Sequence, residues 1–302
     1  MKIVIAGDVS DWNIPGFSVE RVSPSLLSVV ADADLLIANL EGLIGPPTAG
    51  ISDLDFFHHP VLDWMLNRFL DLTKHRQPRV HSSVNILTVF GRARRSCATL
   101  AHNHVKDLGV HGLVTTLEHL QRESILTVGA GVTRAQAETP CRLTVAGREV
   151  VVLNYNWIGL RMGALFLNIY GAADSWYGAA YQPPQKISRI LRAIRKSSPA
   201  SLIILVLHAG RALAASPSSA GLDPAALSGL GADFTIVHHS HRHLESHVPG
   251  VFFLGDFVFR QPGYLPEDRV GSIVAVTVKA DGAAEATLHK FRFSQGYPCM
   301  PE

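Results

Sequence analysis

Three imidazoles stand close together at His238-His239-x-His241, directly after the β-branched run Thr235-Ile236-Val237. A strand that stops there delivers side chains to its carboxyl end, where open α/β sheets hold their ligands. His239 and His241, two apart, face one side if the backbone stays extended, so both can address one ion. A polar loop in a chain carrying 15 His would look the same. Repetition of the placement tells the two apart. Apolar runs also close at Gly7-Asp8, Asn39-Leu40-Glu41, His102-Asn103-His104, His208 and Gly255-Asp256. A hydrophobic core explains the runs but not why carboxylates, amides and imidazoles end so many of them. That mixed set suits Zn, Mn or Fe rather than Ca or Mg alone. Metal-assisted hydrolysis needs such a site. His104, next to Asn103, pairs a proton donor with a neutral oxygen ligand.

The elements that must position these residues follow from pattern. Lys2–Ala6, Asp34–Ala38, Cys97–Ala101, Ile125–Val128, Ser201–Leu207 and Val251–Leu254 read as buried strands. Pro24–Ala33, Pro60–Leu72, Gly112–Gln121, Pro184–Lys196 and Pro224–Leu230 read as helices. Cys141–Ala146 and Glu149–Tyr155 flank Ala146-Gly147-Arg148 and predict a hairpin. Ile273–Val278 and Ala286–Arg292 form a further antiparallel pair across Asp281-Gly282. Residues 156–181, rich in Gly and aromatics, read as a long loop of the kind that covers a site. Taken singly, Asp8 is turn chemistry, Gly129-Ala130-Gly131 is packing, and His58-His59 are loop histidines.

At 302 residues, 47% hydrophobic and 17% charged, the chain is globular and can bury a large core. With no repeat, linker or composition break, residues 1–302 are expected to form a single domain. A net charge of +2 with scattered basic residues gives no case for nucleic-acid binding. No apolar run reaches the roughly 20 residues of a membrane span. Cys97, Cys141 and Cys299 lack paired metal-ligand spacing, and so sparse an odd count fits a reducing compartment. With no signal-like leader, the expectation is a cytoplasmic protein that does not engage a membrane.

The ordered set Gly7-Asp8, Asn39-Leu40-Glu41, Asn103-His104-x-x-Asp107-x-Gly109, Thr116-Leu117, Gly129-Ala130-Gly131, Leu207-His208-x-Gly210, His238-His239-x-His241 and Leu254-Gly255-x-Phe257 resembles the successive motifs of the CapA family. Its members are capsule and poly-γ-glutamate biosynthesis proteins related to the calcineurin-like metallophosphoesterases. The resemblance runs over most of the chain and is weakest at about 46–96, where this sequence carries its own insertion. It implies an α/β fold, a four-layer αββα sandwich of two mixed sheets flanked by helices. It also implies that Glu41 bridges two metal positions. Asn103, His208 and His239 would complete one, Asp8 and His241 would serve the other, and His104 would be the proton donor. Asn39, His102, His238 and Asp256 stand behind these, and Arg211 and Arg242 are candidates for substrate contact.

The sequence departs from the pattern in several places. Ser10 stands where the phosphoesterases have His, and Glu41 replaces their bridging Asp. One metal position is therefore thinner than in the phosphoesterases, and one ion or two remain open. His102 replaces Asn, Ser240 replaces Pro, Val237 replaces Gly, and Asp256 replaces Asn. Three functions follow from the resemblance: metal-dependent phosphoester hydrolysis, metal-dependent hydrolysis or transfer at an amide or γ-glutamyl bond, and a non-catalytic subunit of a biosynthetic complex. Retention of His104 beside the ligand set argues against the last, since a scaffold needs no proton donor. The expected partner is a small-molecule or peptide substrate.

Overall fold

Each long apolar run forms a strand, and alternation along it divides its side chains between two faces. The computed structural model describes residues 1–46, 60–72, 79–162, 165–261, 265–266 and 269–299. In chain order the principal strands are β1 (Lys2–Val9), β2 (Leu35–Leu40), β3 (Ser96–Thr99), β4 (Leu126–Val128), β5 (Cys141–Val145), β6 (Arg148–Asn156) and β7 (Leu202–His208). They continue with β8 (Phe234–His238), β9 (Val251–Phe253), β10 (Asp256–Val258), β11 (Val270–Val278), β12 (Ala284–Ser294) and β13 (Tyr297–Cys299). The longer helices are α1 (Pro24–Ala31), α2 (Pro60–Leu72), α3 (Gly109–Arg122) and α4 (Pro184–Ser197).

The strands make two mixed sheets. The first has the order β13-β12-β11-β1-β2-β3-β4, with β10 pairing with the carboxyl end of β1. Strands β1 to β4 are parallel, while β11 to β13 are antiparallel. The second has the order β9-β8-β7-β6-β5, parallel except for the β5–β6 hairpin. In that hairpin Ala146 (φ 47°) and Gly147 (φ 82°) both take the left-handed conformation that a two-residue turn requires.

Ile3, Ile5, Leu35 and Ile37 of the first sheet pack on Val150, Val152, Ile204 and Val206 of the second. On the outer face of the first sheet, Val4, Leu36 and Ala38 meet Leu26 and Val30 of α1 and Leu113 and Leu120 of α3. On the outer face of the second, Val151, Leu153, Ile203 and Leu205 meet Ile187, Leu191 and Ile194 of α4. This is the four-layer αββα sandwich that the family resemblance implies. Strands buried on both faces have no polar side to alternate with, so they read as continuous apolar runs.

Some boundaries differ from the sequence reading. Strand β2 continues to Leu40, so Asn39 lies within it. Residues 156–181 are not one open loop: Leu160–Met162 pairs with Leu165–Leu167, and Gly178–Ala179 with Ala130–Gly131. Their polar backbone is satisfied by short ladders that no periodicity announces. The short helix expected at Pro224–Leu230 stops at Ser228. Within the expected insertion, His81–Ser82 pairs in parallel with Leu43–Ile44. Residues 47–59, with His58 and His59, and residues 73–78 lie outside the described residues. Among the described residues no helix is long and apolar enough to cross a membrane.

Candidate metal centre

The carboxyl ends of β1, β2, β3, β7 and β8 converge from both sheets, and close backbone approaches set the first of them. A Cβ on Gly7 would lie 1.9 Å from the Gly255 carbonyl oxygen, so only glycine allows the two chains to meet there. At that point β1 leaves β11 and pairs with β10, which brings Asp8 opposite Asp256. Asp8 is buried and held at both oxygens. Asn39 Nδ2 donates to Oδ1 at 2.6 Å, and the His239 backbone N–H donates to Oδ2 at 3.3 Å. Asn39 is fixed in turn by Thr99 Oγ1, which donates to its Oδ1 at 3.3 Å.

The histidine segment reaches the site by a route other than the extended one. Strand β8 ends at His238, and His239 (φ 89°) and His241 (φ 56°) then take left-handed conformations. Such values are uncommon outside glycine and cluster at functional sites. Both imidazoles nevertheless address the same carboxylate. Glu41, His239 and His241 bring ligand atoms within 4.8 Å of one another, as do Asp8, Glu41, His241 and Asp256. His208, the last residue of β7, places Nε2 2.8 Å from Asn103 Oδ1, 3.1 Å from His239 Nδ1 and 3.6 Å from Glu41 Oε1. Of the residues singled out as ligands, Asp8, Glu41, His239 and His241 fall in these groups, with Glu41 and His241 common to both, while Asn103 and His208 lie beside them. Asp256 also brings an oxygen within reach of the second group.

Around this centre the other candidates take supporting places. His102 Nδ1 accepts from the His104 backbone N–H at 3.1 Å, and His238 Nδ1 lies 3.8 Å from Asp8 Oδ1. Arg211 is exposed and Arg242 half-buried. Among the described residues no hydrogen bond or ion pair ties either to the cluster. His104 caps no helix: residues 102–108 form successive tight turns, and α3 starts at the left-handed Gly109 (φ 68°). His104 Nδ1 pairs with Asp107 Oδ2 at 2.7 Å, which leaves Nε2 3.9 Å from Glu41 Oε1. Asp107 is itself fixed by the Val80 backbone N–H, at 2.7 Å from the same oxygen.

Burial dominates the electrostatics. It raises the Asp8 pKa to about 7, with Asp256 adding to the effect. It raises Glu41 well above the carboxylate range, with Asp8 and Asp256 adding repulsion. The same burial holds His208 and His239 well below the usual imidazole value, and the neighbouring histidines add to it. For His241 burial acts downward, but the carboxylates of Asp256 and Asp8 outweigh it and the net shift is upward. Among the described residues no donor reaches either Glu41 oxygen, and His208 Nδ1 has no partner. Buried polar groups are almost always satisfied, so the two bare Glu41 oxygens among buried imidazoles could hold a divalent cation. The mixed oxygen and nitrogen donors fit Zn, Mn or Fe.

The Asp8 shift has a testable sign. Its folded pKa of about 7 exceeds the ordinary 3.8. In metal-free protein its contribution to stability is therefore full below pH 3.8 and is lost as pH rises through 7. Metal-free Asp8→Asn should melt above wild type at pH 8, and the gain should close as pH falls toward 4. Thermal melts of both proteins across that range check it; a gain that is constant with pH would refute the assignment.

Two positioning residues, Asn154 and Arg269, escaped the sequence reading, and Thr116 figured in it only as part of a motif. Asn154, inside the apolar run of β6, accepts from the Ala101 backbone N–H at 2.6 Å and donates to the Val206 carbonyl at 3.2 Å. It thus ties the two sheets together just below the His102–His104 turn. Arg269, 5% exposed, donates to Asp256 Oδ2 at 3.0 Å, and Asp256 Oδ1 pairs with His241 Nδ1 at 2.8 Å. The added carboxylate at position 256 is therefore neutralised and orients a histidine, as outer partners of metal-binding imidazoles commonly do. Thr116 Oγ1 accepts from the Ile44 backbone N–H at 2.8 Å and so anchors the chain leaving Glu41. The polar residue inside the β6 run was the available signal for Asn154; Arg269 left none.

Comparison with known proteins places this geometry in context. The model of a family described as bacterial capsule synthesis protein PGA_cap matches residues 3–261. No curated protein matches the chain. Among solved structures, a hypothetical protein from Thermus thermophilus is similar at 14% identity and a TM-score of 0.46, over 96% of this chain and 99% of that one. A novel phosphatase from Mycoplasma pneumoniae is similar at 9% identity and a TM-score of 0.44, over 97% and 94% of the two chains.

Proposed function

The chain belongs to the bacterial capsule synthesis family PGA_cap, and from that premise we propose that it is a metal-dependent hydrolase that cleaves a phosphoester. One observation carries the reading. The Glu41 side chain, buried and without a hydrogen-bond partner among the described residues, belongs with His241 to two groups of ligand atoms, and His104 lies beside it with only Nε2 uncommitted. Glu41, Asn103, His208 and His239 would hold one divalent cation. Asp8, Glu41 and His241, with Asp256, would hold a second.

When bound there, a divalent cation supplies Lewis acidity that makes water nucleophilic near neutral pH and offsets negative charge on the substrate. The protein's own groups do the rest. Asp107 holds the His104 Nδ1 proton and fixes the ring, so a proton on Nε2 points toward the centre and can pass to the leaving oxygen. Asn39 and the His239 backbone hold Asp8 in one rotamer, and Arg269 with Asp256 holds His241. Side chains locked in this way need little rearrangement when charge develops.

Loading purified protein with Mn, Zn or Fe and assaying bis(4-nitrophenyl) phosphate beside γ-glutamyl-4-nitroanilide tests the proposal. Metal-dependent release of nitrophenol, abolished by chelator, is expected. Release of nitroaniline alone would assign the same residues to an amide or γ-glutamyl bond and refute the phosphoester reading.

A further inference from the structure

A cavity of about 360 Å³ opens beside His208, large enough for a group of roughly ten non-hydrogen atoms. Its floor follows the strand end that carries His208, and its wall follows the neighbouring end of β6. Ala209 and Gly210, on the floor, directly follow His208, and the Ala209 backbone N–H donates to the His238 carbonyl at 3.3 Å. Trp157, on the wall, donates its backbone N–H to the His208 carbonyl at 2.9 Å.

The wall is rigid. Asn156, fully buried, accepts from the Ile158 backbone N–H at 3.0 Å and donates to the Ile158 carbonyl at 3.2 Å, which closes a local turn around Trp157. The indole Nε1–H donates to the Gln182 carbonyl at 2.9 Å, so the ring is pinned at one end and half exposed. The floor is left-handed at Gly210 (φ 93°), where a Cβ would come 3.0 Å from the Leu222 side chain. Most of the lining is apolar or glycine, and its single charged group is Arg211. Among the described residues no acidic side chain lines the cavity, and Arg211 has no ion-pair or hydrogen-bond partner.

We propose that this cavity is a substrate subsite for an arm that joins a flat or apolar body to an anionic group, with Trp157 as its wall and Arg211 as its cation. The proposal rests on the hydrolase reading only for calling the ligand a substrate; the site itself is built without it. A guanidinium with free donors at the mouth of an apolar cavity pairs with a carboxylate or phosphate oxygen, and an indole face accepts a planar group. An arm seated there lies against Ala209, the residue that follows His208. The anion's source, carboxylate or phosphate, is distinguished by the probe.

The test is calorimetric titration of the full chain with benzoate, phenyl phosphate and uncharged benzamide, which needs no turnover. Benzoate or phenyl phosphate should bind in the millimolar range, with benzamide about tenfold weaker. Arg211→Ala should bring the anion down to the benzamide level, and Arg211→Lys should recover part of the loss. Trp157→Ala should weaken all three probes. Arg211 is exposed, so its replacement does not threaten the fold. Equal anion affinity in wild type and Arg211→Ala would overturn the proposal, because the anion would then be held elsewhere, as would a wild type that binds none of the probes. Anion binding lost in Arg211→Ala, in a protein without phosphoesterase activity, would uphold the subsite and refute the reaction assigned above.

Discussion

Glu41→Gln is expected to lower turnover by about 10³-fold or more while the protein keeps its fold. The side chain is buried, both its oxygens lack hydrogen-bond partners among the described residues, and it belongs to both groups of candidate ligands. Gln preserves the shape and removes the charge that two cations would share. In metal-free protein the substitution removes an acid that burial and the nearby Asp8 and Asp256 already press toward its neutral form. The metal-free melting temperature should therefore hold while activity disappears. Melting curves and turnover on the same preparation check both halves. A variant that loses stability and activity in proportion would make Glu41 a structural residue.

His104→Asn is expected to lower turnover by roughly 10²–10⁴-fold, the usual range for a general acid, with bound metal unchanged. The ring is 7% exposed, anchored through Nδ1 to Asp107, and set 3.9 Å from Glu41 by Nε2. Asn103→Ala gives the contrast. Its Oδ1 sits 2.8 Å from His208 Nε2 among the ligand atoms, so that variant should lose metal first and activity as a consequence. If His104→Asn instead shed metal as Asn103→Ala does, it would be a ligand and the proton-donor assignment would fail.

The site was legible in the sequence where chemistry coincided with punctuation. Asp8, Glu41, His208 and the His238–His241 cluster each terminate an apolar run, and the parallel strands of the sandwich gather those ends. The reason given for His239 and His241 was only half right. Alternation predicts a shared side for an extended chain, whereas two left-handed residues turn both rings inward. What local pattern cannot encode is a partner distant in sequence. Arg269 reaches Asp256 from just before β11, Val80 reaches Asp107 from the expected insertion, and Asn154 joins one sheet to the other. Each is set by tertiary packing. The Asp at position 256, where the family pattern has Asn, is paired in the fold with Arg269 and directed at His241.

Metal stoichiometry tests the central claim most directly. The full chain would be dialysed against Zn, Mn and, without oxygen, Fe, and its bound metal measured for wild type and Glu41→Gln. Wild type is expected to retain roughly one to two equivalents of at least one ion, and Glu41→Gln to lose most of it. A wild type that retains none of the three would contradict the account, as would a Glu41→Gln protein that binds as much as wild type.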